Sequence, residues 1–193
     1  MPNEFENMNQ AQKILNAAFK CISARGYANV SLRDIAYEAG VVLSQLNYYY
    51  QNKEGLFIEI VKTLSQKYLH EIESNLKKGT SKKERISFLI KYFQEMLRQN
   101  AELFKILFDL TSMAIWSATL KELVNDLFHN LTELIEKYIV SEFSDKEEYQ
   151  HHSTATLSRM MLGTLFGISI QVILADGNED MINSLSTLKI LFE

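Results

Sequence analysis

Residues 31–50 read SLRDIAYEAGVVLSQLNYYY, and this stretch decides the fold. Ser31 stands three residues before Asp34, the spacing of a capping box in its Asp form. Leu32, Ile35, Ala36 and Ala39 then share one face of a short helix. Gly40 closes that helix with a residue tolerant of positive φ, and Ala36 is small enough for close approach of a second helix. That second helix, about residues 43–50, follows at once. Two short helices joined by a glycine turn form a helix-turn-helix, whose second helix can enter a DNA major groove.

Winding residues 42–50 at about 100° per residue separates two arcs. Val42, Leu43, Leu46 and Tyr50 form an apolar arc that faces the other helices, with Tyr49 at its edge. Ser44, Gln45, Asn47 and Tyr48 occupy the other arc and offer a hydroxyl, two amides and a phenol. Amide side chains pair bidentately with adenine, and small groups meet a thymine methyl. Lys53 opens the next helix, where its ammonium and the exposed backbone N–H groups both favour a phosphate. It is expected to grip the DNA backbone rather than read sequence. Ser31 and Arg33 are expected to hold a second phosphate in the same way.

Outward from this stretch the chain reads as all-α. A first helix spans roughly 9–25, with Ile14, Leu15, Ala18, Phe19, Cys21 and Ile22 at helical spacing and Gly26 as its stop. After the helix-turn-helix, Asn52 can cap a long amphipathic helix over 53–76. The lysine-rich KKGTSKKER segment then separates it from helices expected near 82–98, 101–114, 117–140, 147–175 and 179–192. The organisation expected is a DNA-binding domain at 1–52, a connector helix at 53–76, and a ligand-binding and dimerisation domain at 77–193.

Composition narrows the function classes. The single cysteine, Cys21, rules out an intrachain disulfide and a thiolate zinc cage. The polar, acidic N-terminus MPNEFENMNQ lacks the basic and apolar regions of a secretory signal, and no unbroken run of about 18 apolar residues suggests a membrane span. The net charge of −4 argues against a polybasic protein that coats nucleic acid. Up to Lys62 there are six Lys/Arg and six Asp/Glu, so the acidity belongs to the remainder.

The segment ILNAAFKCISARGYANVSLRDIAYEAGVVLSQLNYYYQNKEGLF resembles the DNA-binding domain of TetR-family transcriptional regulators. The matching positions are Ala17, Ala18, Gly26, Tyr27, Ser31, Ile35, Ala36, Ala39, Gly40, Val41, Tyr48 to Tyr50, Lys53, Glu54 and Leu56. The resemblance implies an all-helical homodimer, a C-terminal ligand-binding bundle, and a repressor that leaves its operator when a small molecule binds. It carries DNA contacts over to Ser31, Arg33, Ser44, Gln45, Tyr48 and Lys53. Three positions depart from the family pattern. Val42 replaces a capping serine, Ser44 a glycine or small residue, and Asn47 a tyrosine, so the phosphate contact falls to Asn47, to Tyr48 or to both.

Beyond the connector the residues speak less specifically. Tyr92, Met96, Phe104, Phe108, Met113, Trp116 and Phe166 are the candidate ligand contacts, because Met and aromatic side chains surround apolar molecules well; ordinary core packing is the competing reading. TATLSRMMLGTLFGISIQVIL is apolar nearly all round, which points to burial on more than one side. Together with MINSLSTLKILFE it is expected to form a four-helix interface about a two-fold axis, through the helices near 147–175 and 179–192, with Gly163 and Gly167 permitting close approach. Glu148 with His151, and His129 with Glu133, have weak metal-pair spacing, but no second Glu-x-x-His motif accompanies them. No cofactor, resident metal or catalytic residue is expected.

The expected protein is therefore a cytoplasmic, non-enzymatic transcriptional regulator. Its partners are a double-stranded DNA operator, a small-molecule effector and a second copy of itself, with no membrane. The alternative is a helical small-molecule sensor or carrier with a vestigial DNA-binding head.

Overall fold

The computed structural model describes residues 10–143 and 152–192. Among these every regular element is helical. The first four helices are α1 (Gln10–Arg25), α2 (Leu32–Ala39), α3 (Leu43–Tyr49) and α4 (Lys53–Lys78). They are followed by α5 (Lys82–Gln99), α6 (Ala101–Ala114), α7 (Ala118–Tyr138) and α8 (Thr154–Leu174), then by α9 (Glu179–Ser184) and α10 (Leu188–Phe192). Short 3-10 turns occupy Val140–Phe143 and Leu185–Thr187.

The capping expected at the start of α2 is present. Ser31 N–H donates to the Asp34 carboxylate at 2.8 Å, and Asp34 N–H returns a bond to Ser31 Oγ at 3.2 Å. Gly40 ends α2 in the left-handed region at φ 67°, and Val41 N–H closes onto Ala36 C=O at 3.0 Å. Asn52 caps α4 by accepting from Gly55 N–H at 2.7 Å. Ser81, Ser117, Ser153 and Asn178 cap α5, α7, α8 and α9 in the same manner. Each cap satisfies a backbone donor that the first helical turn leaves without a partner.

Two apolar cores share the long helices. The first gathers Ile14, Ala18, Ile22, Ile35, Leu46, Leu56 and Phe57 from α1–α4, and also Ile106, Leu110, Leu120 and Val124 from α6 and α7. The second gathers Ile72, Leu76, Ile86, Ile90, Phe93 and Phe104 with Ile135, Met161, Leu165 and Val172. Helices α4 and α7 thus give one stretch to each core, while α6 serves both with interleaved residues. Phe128 packs against both.

Two segments differ from expectation. The last helix is not continuous: the 3-10 turn at Leu185–Thr187 separates α9 from α10, with Leu188 N–H donating to Leu185 C=O. Such an i to i−3 bond tightens the chain into a 3-10 turn. The second is α8, which is long and apolar enough to cross a membrane, although its sequence shows no unbroken apolar run. Its Ser and Thr residues are nearly neutral and Arg159 is its sole charge. In this fold it packs on α5, α6, α7 and α9. Ser158 and Ser169 are fully buried and spend their hydroxyls on Thr154 and Leu165 carbonyls within the same helix.

Candidate nucleic-acid interface and ligand cavity

Helix α3 is pinned by one side chain and exposes most of the rest. Leu46 is fully buried in the first core, where α3 packs on α1 and α2. Ser44, Asn47 and Tyr48 are exposed and Gln45 is half-buried. Tyr48 is 83% exposed, and its ring meets that of Tyr49 edge-on at 5.2 Å. Tyr50 turns inward and donates from its hydroxyl to Ala11 C=O at 3.3 Å; burial pushes its phenol pKa up. The expected arcs therefore hold except at Val42, which is 66% exposed. Val42 sits outside the helix as its N-cap, in extended backbone with φ −77°, and makes no side-chain cap bond.

The flanking candidates occupy different situations. Ser31 is committed to Asp34, to which its hydroxyl donates at 2.6 Å, while Arg33 is exposed on the first turn of α2. The Ser31 bonds hold the Asp34 carboxyl below its ordinary pKa. The Lys53 ammonium donates to Tyr27 C=O and lies 4.1 Å from the centre of the Tyr27 ring. Burial pulls its pKa down. One of its three N–H donors is thus used within the protein, which leaves two for a phosphate.

A cavity of about 130 Å3 lies among α4, α5, α6 and α7. It sits where the two cores meet, with Val61 and Leu110 from the first and Ile72, Phe93 and Phe104 from the second. Its lining residues include no Lys, Arg, His, Asp or Glu; the only polar side-chain groups among them are the hydroxyls of Ser65, Tyr68 and Tyr92. Tyr92 donates to the Glu71 carboxylate at 3.0 Å. Burial, followed by this bond, pushes the Tyr92 phenol far up, and burial raises Tyr68 as well.

Of the seven expected ligand contacts, Tyr92, Met96 and Phe104 come together on this wall. Phe108 and Phe166 instead stack edge-on at 5.0 Å, in an aromatic row that continues to Phe128 and joins α6, α7 and α8. Phe166 borders a separate open groove with Asn125, His129, Thr132 and Arg159. Met113 packs against the first core. Trp116 is 88% exposed in the α6–α7 turn, away from the cavity. That turn is fixed by Ser117, whose hydroxyl caps α7 and donates to Glu54 Oε1 at 3.2 Å.

Sequence reasoning missed the contribution of α4. Val61, Leu64, Ser65, Tyr68, Leu69 and Ile72 line the cavity, at the i, i+3, i+4, i+7 spacing of one helix face. That spacing was readable, but it marks burial and does not distinguish a cavity wall from a filled core. His129 and Glu133 pair at 3.1 Å on an exposed surface. Glu148 and His151 lie outside the described residues, and no group of three potential ligands gathers among the described ones.

The sequence model for bacterial regulatory proteins of the tetR family matches residues 14–60. The fatty acid metabolism regulator protein of Bacillus subtilis is 28% identical over 78 residues, which make up 40% of this chain and 40% of that protein. The HTH-type transcriptional regulator PksA of the same organism is 25% identical over 118 residues, 61% of this chain and 53% of that relative. The similarity to these curated relatives therefore extends over only part of each. Among solved structures, FadR of Bacillus subtilis in complex with stearoyl-CoA superposes with a TM-score of 0.79 at 20% identity, covering 94% of this chain and 96% of that one. A TetR transcription regulator from Haloarcula marismortui superposes with a TM-score of 0.81 at 16% identity, covering 95% of each chain. At these identities the structural likeness is one of fold.

Proposed function

We propose that the chain, whose residues 14–60 match the model for bacterial regulatory proteins of the tetR family, is a TetR-family repressor released from a pseudo-palindromic operator by a small, largely apolar effector. The observation that carries this reading is the pairing of a buried Leu46 with exposed Ser44, Asn47 and Tyr48 on α3. A short helix held by one apolar side chain, with uncharged hydrogen-bonding groups outward, suits major-groove reading. Ser31, Arg33, Gln45 and Lys53 complete the proposed DNA surface. Residues 1–52 act as the reading head, 53–76 as the connector, and 77–193 as the ligand-binding and dimerisation part.

The cavity defines the effector by what it lacks. With no cation among its lining residues, it offers nothing to neutralise a carboxylate or phosphate inside. An effector therefore inserts an apolar body and leaves any acidic head group outside. FadR of Bacillus subtilis has been solved with stearoyl-CoA, and an acyl chain is the effector body we propose here. Because the cavity touches both cores, its filling shifts the head against the bundle, provided the effector binds the non-DNA conformation better.

A second copy completes the regulator. Met160, Ile170 and Leu174 on α8 and Met181 on α9 are exposed apolar side chains, and nothing lies within 4 Å of a Cβ placed at Gly163 or Gly167. We assign this face to the homodimer interface, which spaces two reading helices about one DNA turn apart or a multiple of it. The cytoplasm is its compartment and binding, not catalysis, its activity.

The test is selection of DNA from a random-sequence pool, followed by anisotropy titration with and without stearoyl-CoA. Enrichment of a palindromic site, and its release by stearoyl-CoA, is the result expected. A pool with no enriched sequence overturns the DNA-binding reading, and a retained site with no response to stearoyl-CoA overturns the acyl effector.

A further inference from the structure

Tyr27, in the turn between α1 and α2, is held at three points by two distant parts of the chain. Its backbone N–H donates to Asp109 Oδ2 of α6 at 2.8 Å. Its backbone carbonyl accepts from the Lys53 ammonium, which also lies over its ring. The same ring packs against Phe57 of α4, centre to centre 4.7 Å. Gly26, at φ 79°, lets the chain turn here, and a Cβ at that position would stand 3.6 Å from the Asp109 carboxylate. One residue therefore joins helix α6 to the first residue of the connector.

Asp109 lies between two lining residues of the cavity, Leu107 and Leu110. A helix moves as a unit over one turn, so displacement of Leu107 or Leu110 by a bound molecule also displaces Asp109. A buried or half-buried backbone N–H that loses its acceptor is costly, so Tyr27 follows the carboxylate rather than letting it go. Lys53 in turn follows Tyr27, because its ammonium is tied to both the carbonyl and the ring face.

We propose that Asp109 is a positioning residue for DNA binding, holding Tyr27 so that Tyr27 aims the Lys53 ammonium at a DNA phosphate, and that this chain carries cavity occupancy to the DNA surface. The proposal rests on the reading that Lys53 grips a phosphate and that the cavity takes the effector. It differs from a shift of the whole connector, since it acts through one backbone unit.

The experiment is a double-mutant cycle on DNA affinity, with the full chain and the DNA site selected by the wild type. Asp109→Ala removes the acceptor, Asp109→Asn keeps an oxygen that accepts from Tyr27 N–H, and Lys53→Ala removes the ammonium. Asp109→Ala is expected to weaken DNA binding about tenfold, the scale of one hydrogen bond, and Asp109→Asn to restore most of it. In the Lys53→Ala background the same Asp109→Ala change is expected to cost less than about twofold, because neighbours on one path are not additive. Equal loss from Asp109→Ala with and without Lys53 overturns the proposal, as does an Asp109→Asn variant as weak as Asp109→Ala. Melting temperature and circular dichroism identify a misfolded Asp109→Ala protein, and the Asp109→Asn comparison decides in that case. A wild type that binds no DNA overturns the functional reading together with the proposal, whereas an additive cycle overturns the proposal alone.

Discussion

The hydroxyl of Tyr50, which closes α3, donates to the backbone carbonyl of Ala11 on α1 across 3.3 Å. Tyr48, two residues earlier, is 83% exposed. Neighbouring tyrosines therefore have opposite duties. Tyr50→Ala is expected to destabilise the protein by about 2–4 kcal/mol, as loss of a large part-buried aromatic does. Tyr48→Ala is expected to stay within about 0.5 kcal/mol in stability, as at most surface sites, while weakening DNA binding. Denaturant unfolding and DNA titration of both variants check the division.

Val42 holds the N-cap position of α3 in extended backbone, φ −77° and ψ 150°, and contributes no cap bond. Its side chain is mostly exposed, so little packing is lost on replacement. Val42→Ser is expected to stabilise the head by about 0.5–1 kcal/mol, since a serine oxygen there reaches a first-turn N–H. A thermal melt that falls, or does not move, contradicts the assignment of Val42 as an uncapped N-cap.

These two positions also show what was legible in the sequence. The capping box, the glycine turn and the apolar periodicity of α1–α4 are local signals, and each appears in the structure where the spacing put it. The missing cap at Val42 was legible through the resemblance to the TetR family, which places a serine there, but its exposure was not. A helical wheel assumes that Val42 lies inside the helix, whereas the N-cap lies outside it. The cavity was legible only in part, because Tyr92, Phe108 and Trp116 are equally apolar in composition. What separates them is tertiary: Tyr92 lines the cavity, Phe108 is locked against Phe166, and Trp116 is carried outward by the α6–α7 turn.

That separation gives a direct contrast. Trp116→Ala is expected to leave both stearoyl-CoA affinity and stability close to wild type. Leu107→Trp adds bulk where the cavity is lined by Leu107, Phe104 and Met96, and is expected to lower stearoyl-CoA affinity at least tenfold with modest loss of stability, about 1–3 kcal/mol for overpacking. Calorimetric titration of both variants reads the outcome. Loss of affinity in Trp116→Ala would move the site away from the α4–α7 cavity.

On α8, a Cβ at Gly163 meets nothing within 4 Å, and Arg159 stands one turn earlier on an exposed face. Gly163→Glu therefore fits the single subunit, and gains helix propensity and an i, i+4 partner. In a two-fold interface it puts a long charged side chain from each subunit where the helices approach closely, and burial of those carboxylates is costly even beside Arg159. Sedimentation velocity is expected to show monomer in the variant and dimer in the wild type; a dimeric variant of unchanged affinity rules out this face as the interface.

The central claim is that uncharged side chains of α3 read sequence while Lys53 grips the backbone. It is tested most directly by measuring the affinities of the wild type, Gln45→Ala, Asn47→Ala and Lys53→Ala for the selected site and for a set of single-base variants. The account predicts that each amide variant loses discrimination of about 1–3 kcal/mol at one base pair, while Lys53→Ala weakens every sequence alike and reduces the dependence of binding on salt by about one counterion. Equal loss on every sequence for all three variants would contradict it.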